Sequence, residues 1–148
     1  MLRTILILLG GAALLLATMI DTLAVIGRHI GLPINGSIEL MQAAVMISGA
    51  AALVISLWDD AHARVHLLLD RLGPSARRLL DQLSDGITLI FLAALLAGAG
   101  WLAADLWHGH EQSELLGVPW AALRAVANVA LAMGIAILGL RLLRKRRA

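Results

Sequence analysis

Residues 58–82, from Trp58 to Gln82, read WDDAHARVHLLLDRLGPSARRLLDQ. This is the one long polar segment in an otherwise apolar chain. Two apolar runs precede it and two follow it. Val65, Leu68, Leu69 and Leu72 fall at i, i+3, i+4 and i+7, so they share one helix face. His62, Arg64, Asp70 and Arg71 fill much of the remaining surface, interrupted by Leu67. Gly73 and Pro74 stop that helix. Ser75 is placed to cap a second short helix carrying Arg77 and Arg78. An apolar stripe with cationic shoulders suits the membrane–water boundary. The stretch predicts an interfacial connector over about 59–82 between two transmembrane hairpins.

The flanking runs are each about 20 residues or longer, the span of a bilayer core. Of the 148 residues, 60% are hydrophobic, and the mean hydropathy is +0.87. A soluble domain of this length could not bury so much apolar surface. Helices are favoured because each satisfies its own backbone hydrogen bonds in lipid. The predicted fold is all-α and integral to the membrane. Four transmembrane helices, at about 4–27, 37–58, 84–107 and 118–140, form a single membrane domain over 1–148. The absence of cysteine excludes disulfides and thiol chemistry. Nucleic acid is not an expected partner, because the basic residues flank apolar spans and form no separate domain.

The first run has only Met-Leu-Arg ahead of it and is longer than a signal peptide needs. It reads as a span. Gly10 and Gly11 invite close helix approach. Asp21 lies inside it and costs about 2.5–3.5 kcal/mol at mid-helix, less toward an end. The connector RHIGLPING follows, with Pro33 and Asn35-Gly36 as turn formers. Ser37 is expected to cap the second helix, with Glu39 in its first turn. The second span carries Ala43, Ala44, Ser48, Gly49, Ala50, Ala51 and Ala52. The third carries Ala97, Gly98, Ala99 and Gly100. Both sets suit tight packing.

Lysine and arginine set the orientation. Arg3, Arg64, Arg71, Arg77, Arg78, Arg141, Arg144, Lys145, Arg146 and Arg147 fall on one side, and Arg28 and Arg124 on the other. The positive-inside rule then places both termini and the central connector in the cytoplasm. The basic tail RLLRKRRA is expected to contact anionic lipid headgroups. Asp21, Arg28, Glu39, Asp105 and Arg124 map to the opposite half. They are expected to pair there as a structural charge cluster, Arg28 with Glu39 and Asp105 with Arg124 across their connectors. The functional alternative is a proton or ion site at Asp21.

His62 and His66 have a spacing that can hold a metal, but the third ligand such a site needs is not evident, although Asp59 and Asp70 are candidates. His108, His110 and Glu111 form a looser group. Both sets read as interfacial polar residues. There is no catalytic triad, no phosphate loop and no carboxylate pair in a water-filled cleft, so neither enzyme activity nor a cofactor is expected.

Three stretches carry a family likeness. The first is Arg28 and its connector leading into Ser37-Ile38-Glu39-Leu40. The second is Ala61-His62-Ala63-Arg64-Val65-His66-Leu67-Leu68-Leu69-Asp70, then Leu72, with His66 where the pattern has an acidic residue. The third is Ser113 followed by Leu116-Gly117-Val118-Pro119-Trp120. In this order and spacing the chain resembles the small membrane subunit of tripartite ATP-independent periplasmic (TRAP) transporters, the DctQ-like family. The resemblance implies a non-catalytic partner of a large permease subunit that holds the substrate and sodium sites. It also implies a periplasmic substrate-binding protein that captures an organic acid. The small subunit would brace the scaffold against which the transport domain moves, in the bacterial inner membrane. A different class stays open: a self-sufficient dimeric exporter with Asp21 as its proton-coupled carboxylate.

Overall fold

A computed structural model describes residues 1–59, 74–109 and 111–147. Within them lie four helices: α1 (Leu2–His29), α2 (Ser37–Trp58), α3 (Pro74–Asp105) and α4 (Trp120–Arg147). All four are long and apolar enough to cross a membrane. Among the described residues no strand forms beyond an isolated bridge between Gln112 and Pro119. α1 packs on α2, α2 on α4, and α3 on α4.

The first helix ends where its sequence dictates. Gly31 takes a left-handed φ of 77°, and the Leu32 amide reaches back to the Gly27 carbonyl at 2.8 Å. This closure needs a glycine just past the helix and tolerates the proline that follows, here Pro33. Gly27 is required for a second reason: a Cβ there would lie 2.5 Å from the Leu32 oxygen.

The start of α2 corrects one expectation. Ser37 is its first helical residue, and Gly36 occupies the cap with φ 78° and no side-chain cap bond. The cause is tertiary. The side chain of Leu116 presses on Gly36, where a Cβ would meet Leu116 Cγ at 2.7 Å.

α3 starts at Pro74, not near Ser84. Proline suits the first helical position, and no helix breaker of comparable strength follows before Asp105. The short second helix expected from Ser75 is thus the first part of α3, continuous with the apolar span at Leu79–Asp105. Likewise α4 continues as helix through its basic residues to Arg147.

Small residues set the α1–α2 seam. Gly10, Ala13, Ala17, Ala24 and Gly27 are the buried residues of α1. A Cβ on Gly10 would lie 3.0 Å from Ala51 Cβ, whereas Gly11 has open space. Elsewhere large side chains fill the interior. Leu57, Leu92 and Leu138, from α2, α3 and α4, form the buried core, with Leu53, Leu89, Leu131 and Ile135 around it. Gly134 admits Leu57, whose Cδ1 would lie 2.6 Å from a Cβ at that position. Gly98 and Gly100 on α3 have nothing within 4 Å of an added Cβ among the described residues, so neither glycine is needed for a close approach there.

Candidate functional site

The bundle has two distinct ends. At the terminal end, Arg3 of α1 and Arg141 of α4 reach the end of α2. Arg3 donates to Asp59 through Nε (2.9 Å to Oδ1) and Nη2 (2.7 Å to Oδ2), a bidentate pair between α1 and the end of α2. The donated bonds of Arg3, reinforced by its charge, hold the Asp59 carboxyl below its ordinary value. Arg141 Nη2 donates to the Leu57 carbonyl at 2.6 Å, which satisfies a carbonyl that the end of α2 leaves open.

At the connector end, residues 111–119 fold back on themselves ahead of α4. Ser113 is buried and organises the turn. Its amide donates to the Val118 carbonyl at 3.0 Å, and the Gly117 amide donates to the Ser113 carbonyl at 3.2 Å. The Val118 amide donates to Ser113 Oγ at 2.9 Å. Gly117, at φ 65°, supplies the left-handed step that this reversal needs.

The turn is fastened to α2 by one side chain. The Glu39 carboxylate accepts the Leu115 amide at 3.0 Å and the Leu116 amide at 2.9 Å. Two backbone donors on one carboxylate make a charge-assisted clasp. Leu116 on Gly36 closes the same junction. Two of the three sequence stretches that carry the family likeness, Ser37–Leu40 and Ser113–Trp120, thus meet here.

A cleft of about 820 Å³ opens beside this clasp, lined by Asp21, Arg28, Glu39, Gln42 and Gln112, among others. The structure therefore gathers Asp21, Arg28 and Glu39 around one space. It does not join them as the sequence suggested. Glu39 is engaged by loop amides instead of Arg28. Arg28 is exposed and bends back so that Nε donates to the Ala24 carbonyl at 3.3 Å. Arg124 pairs with Glu111 instead of Asp105. Asp105 is the exposed last residue of α3. Arg124 lines a neighbouring apolar groove of about 950 Å³ between α2 and α4.

His62, Arg64, Val65, His66, Leu68, Leu69, Asp70 and Leu72, the predicted interfacial helix, lie outside the described residues, as does His110. Sequence reasoning missed Arg3–Asp59 and Arg141 on Leu57, because no local spacing links such distant positions. It also missed the burial of Asp85. Glu111 had been noticed beside histidines, yet its partner lies across the turn. Among the described residues, no group of three His, Asp or Glu side chains could hold a metal. What this end offers is a fixed polar rim around an open cleft.

Neither the curated proteins nor the solved structures contain a match to the chain. A family model does match: tripartite ATP-independent periplasmic transporters, DctQ component, over residues 14–148. That family comprises transporter components, not enzymes. The match covers nearly all of the chain, including every element that builds the clasp and the cleft. The chain therefore belongs to the DctQ family, the small membrane subunits of TRAP transporters.

Proposed function

We propose that this chain is the non-catalytic small subunit of a sodium-driven TRAP importer of organic acids, and that it braces the scaffold of the large permease subunit. The observation that carries the reading is the fastening of the bundle at both ends. Glu39 ties α2 to the α3–α4 turn at one end. Arg3–Asp59 and Arg141–Leu57 tie α1 and α4 to the far end of α2 at the other. A bundle restrained at both ends suits a stationary element better than a moving one. The helices stand as two hairpins with both termini cytoplasmic, and the connector end faces the periplasm. The segment around Leu68 and Leu69 lies along the cytoplasmic boundary and resists tilting of the bundle. A periplasmic substrate-binding protein delivers cargo to the complex, and the basic tail rests on anionic lipid.

The test is reconstitution. The chain and its large permease are placed in vesicles with the binding protein loaded with an organic acid. Sodium-gradient uptake that falls when the small subunit is omitted supports the reading. Proton-coupled flux by the purified chain alone, as a homodimer, overturns it in favour of the exporter.

A further inference from the structure

The cleft at the connector end contains a carboxylate, Asp21, that pairs with no other described residue of the chain. Asp21 lies eight residues before His29, the end of α1, so about 12 Å along the axis. Its short side chain cannot reach the helix end as a long Lys or Arg does. The buried residues Ala17 and Ala24, four before and three after, put Asp21 at the margin of the face that meets α2. There it lines the cleft and is exposed. Thr18 and Thr22 donate their hydroxyls to the Leu14 and Thr18 carbonyls. Arg28 shares the cleft but donates to Ala24. Glu39 is occupied by the loop amides. Among the described residues, no cation or donor is seated on Asp21.

We propose that a lysine or arginine from a membrane-embedded segment of the large permease subunit enters this cleft and pairs with Asp21. The proposal rests on the accessory-subunit reading above. Ionisable groups at membrane depth pair with one another or face protected polar space. Of the two charges in the cleft, Arg28 is already accommodated. It sits in the last turn of α1, where backbone carbonyls and the helix dipole favour a cation. Asp21 is deeper and has neither advantage. A cleft of about 820 Å³ falls in the range that admits a whole group from outside. Its rim is fixed by Glu39, so an entering side chain meets a preformed wall. Leu14 and Val25, seven before and four after Asp21 and exposed on α1, share its side of the helix and give the same partner segment an apolar surface to lie on.

The experiment is co-purification of the tagged chain, expressed with its large permease, in mild detergent. Near-equal recovery of permease with the unaltered chain is expected; no recovery overturns the accessory-subunit reading and this proposal with it. Given that recovery, Asp21→Leu should reduce co-purified permease at least roughly tenfold, because it leaves the partner cation buried and unpaired. Asp21→Glu should retain binding. Asp21→Lys should lose it, and a Lys→Glu or Arg→Glu change in a permease membrane segment should restore it. Since Asp21 is exposed in the isolated chain, Asp21→Leu should leave the chain's own thermal stability unchanged or raised. Full recovery of permease with both Asp21→Leu and Asp21→Lys overturns the proposal. So does loss confined to Asp21→Lys, which would mark repulsion without a native pair.

Discussion

The two ends of this bundle are held by opposite means. At the terminal end, three leucines from three helices fill the interior, with Leu57 and Leu138 at 0% exposure. Side-chain ion pairing and a capped carbonyl close over them. At the connector end the space stays open, and the turn is tied to α2 by a carboxylate gripping main-chain amides, beside the Arg124–Glu111 pair. A filled end is held by close packing, so loss of volume should be costly there. An open end with a fixed rim keeps its shape while leaving room for something else. The same four helices thus separate holding together from receiving.

The largest effect should come from emptying the filled end. Leu57→Ala removes a fully buried side chain and should lower unfolding free energy in detergent by about 2–5 kcal/mol. Gly134→Val should also destabilise, by about 1–3 kcal/mol, because even a Cβ there would lie 2.6 Å from Leu57 Cδ1. Values near zero for both would mean that this end is not a packed core.

Next comes the clasp. Glu39→Ala should speed hydrogen exchange of the Leu115 and Leu116 amides at least roughly tenfold. Leu57→Ala should leave those amides alone unless the chain unfolds globally. Equal exchange in Glu39→Ala and the unaltered chain would show that the turn stands without its carboxylate.

A smaller contrast lies within α1. Gly11→Ala meets open space and should stabilise by up to about 1 kcal/mol through helix propensity. Gly10→Ala would bring its Cβ to 3.0 Å from Ala51 Cβ, so most of that gain should vanish. Equal gains in thermal unfolding would mean that the α1–α2 seam is looser than described.

The smallest effect is the pH response of the terminal pair. Arg3 lowers the folded-state value of Asp59 beneath its ordinary 3.8. Its contribution is therefore fully present above that ordinary value and is lost as pH falls through the lower folded value. The pair should persist at pH 5 and release only in stronger acid. Because the two side chains are 55% and 30% exposed, salt should weaken it as well. A thermal stability difference between the unaltered chain and Asp59→Asn that is already lost between pH 7 and 5 would contradict this assignment.

The sequence disclosed the four spans because about 20 apolar residues in a row admit few other readings. It disclosed the α1 stop because Gly31 and Pro33 are local signals. It put a break between the helix from Ser75 and the third span, where the structure has one continuous helix, α3, because nothing there breaks it. At the site it singled out Glu39, yet assigned it Arg28. Charges are visible in a sequence and amides are not, so a carboxylate bound by backbone is read as seeking a cation. Arg124 went to Asp105 because the two flank one connector, although Glu111, within that connector, is nearer in sequence and takes the pair. Arg3 and Asp59 are 56 positions apart, and only the packing of α1 on α2 brings them together.

The Glu39 clasp has a consequence for how the turn can change over time. It grips N–H groups, which every residue but proline supplies. Position 115 is thus open to almost any spelling while the turn keeps its place. Position 116 is narrower, because the Leu116 side chain also seats on Gly36. The tip of the turn can therefore drift in charge, size and polarity without redrawing the bundle beneath it, and Leu115→Pro is the substitution that such drift must avoid.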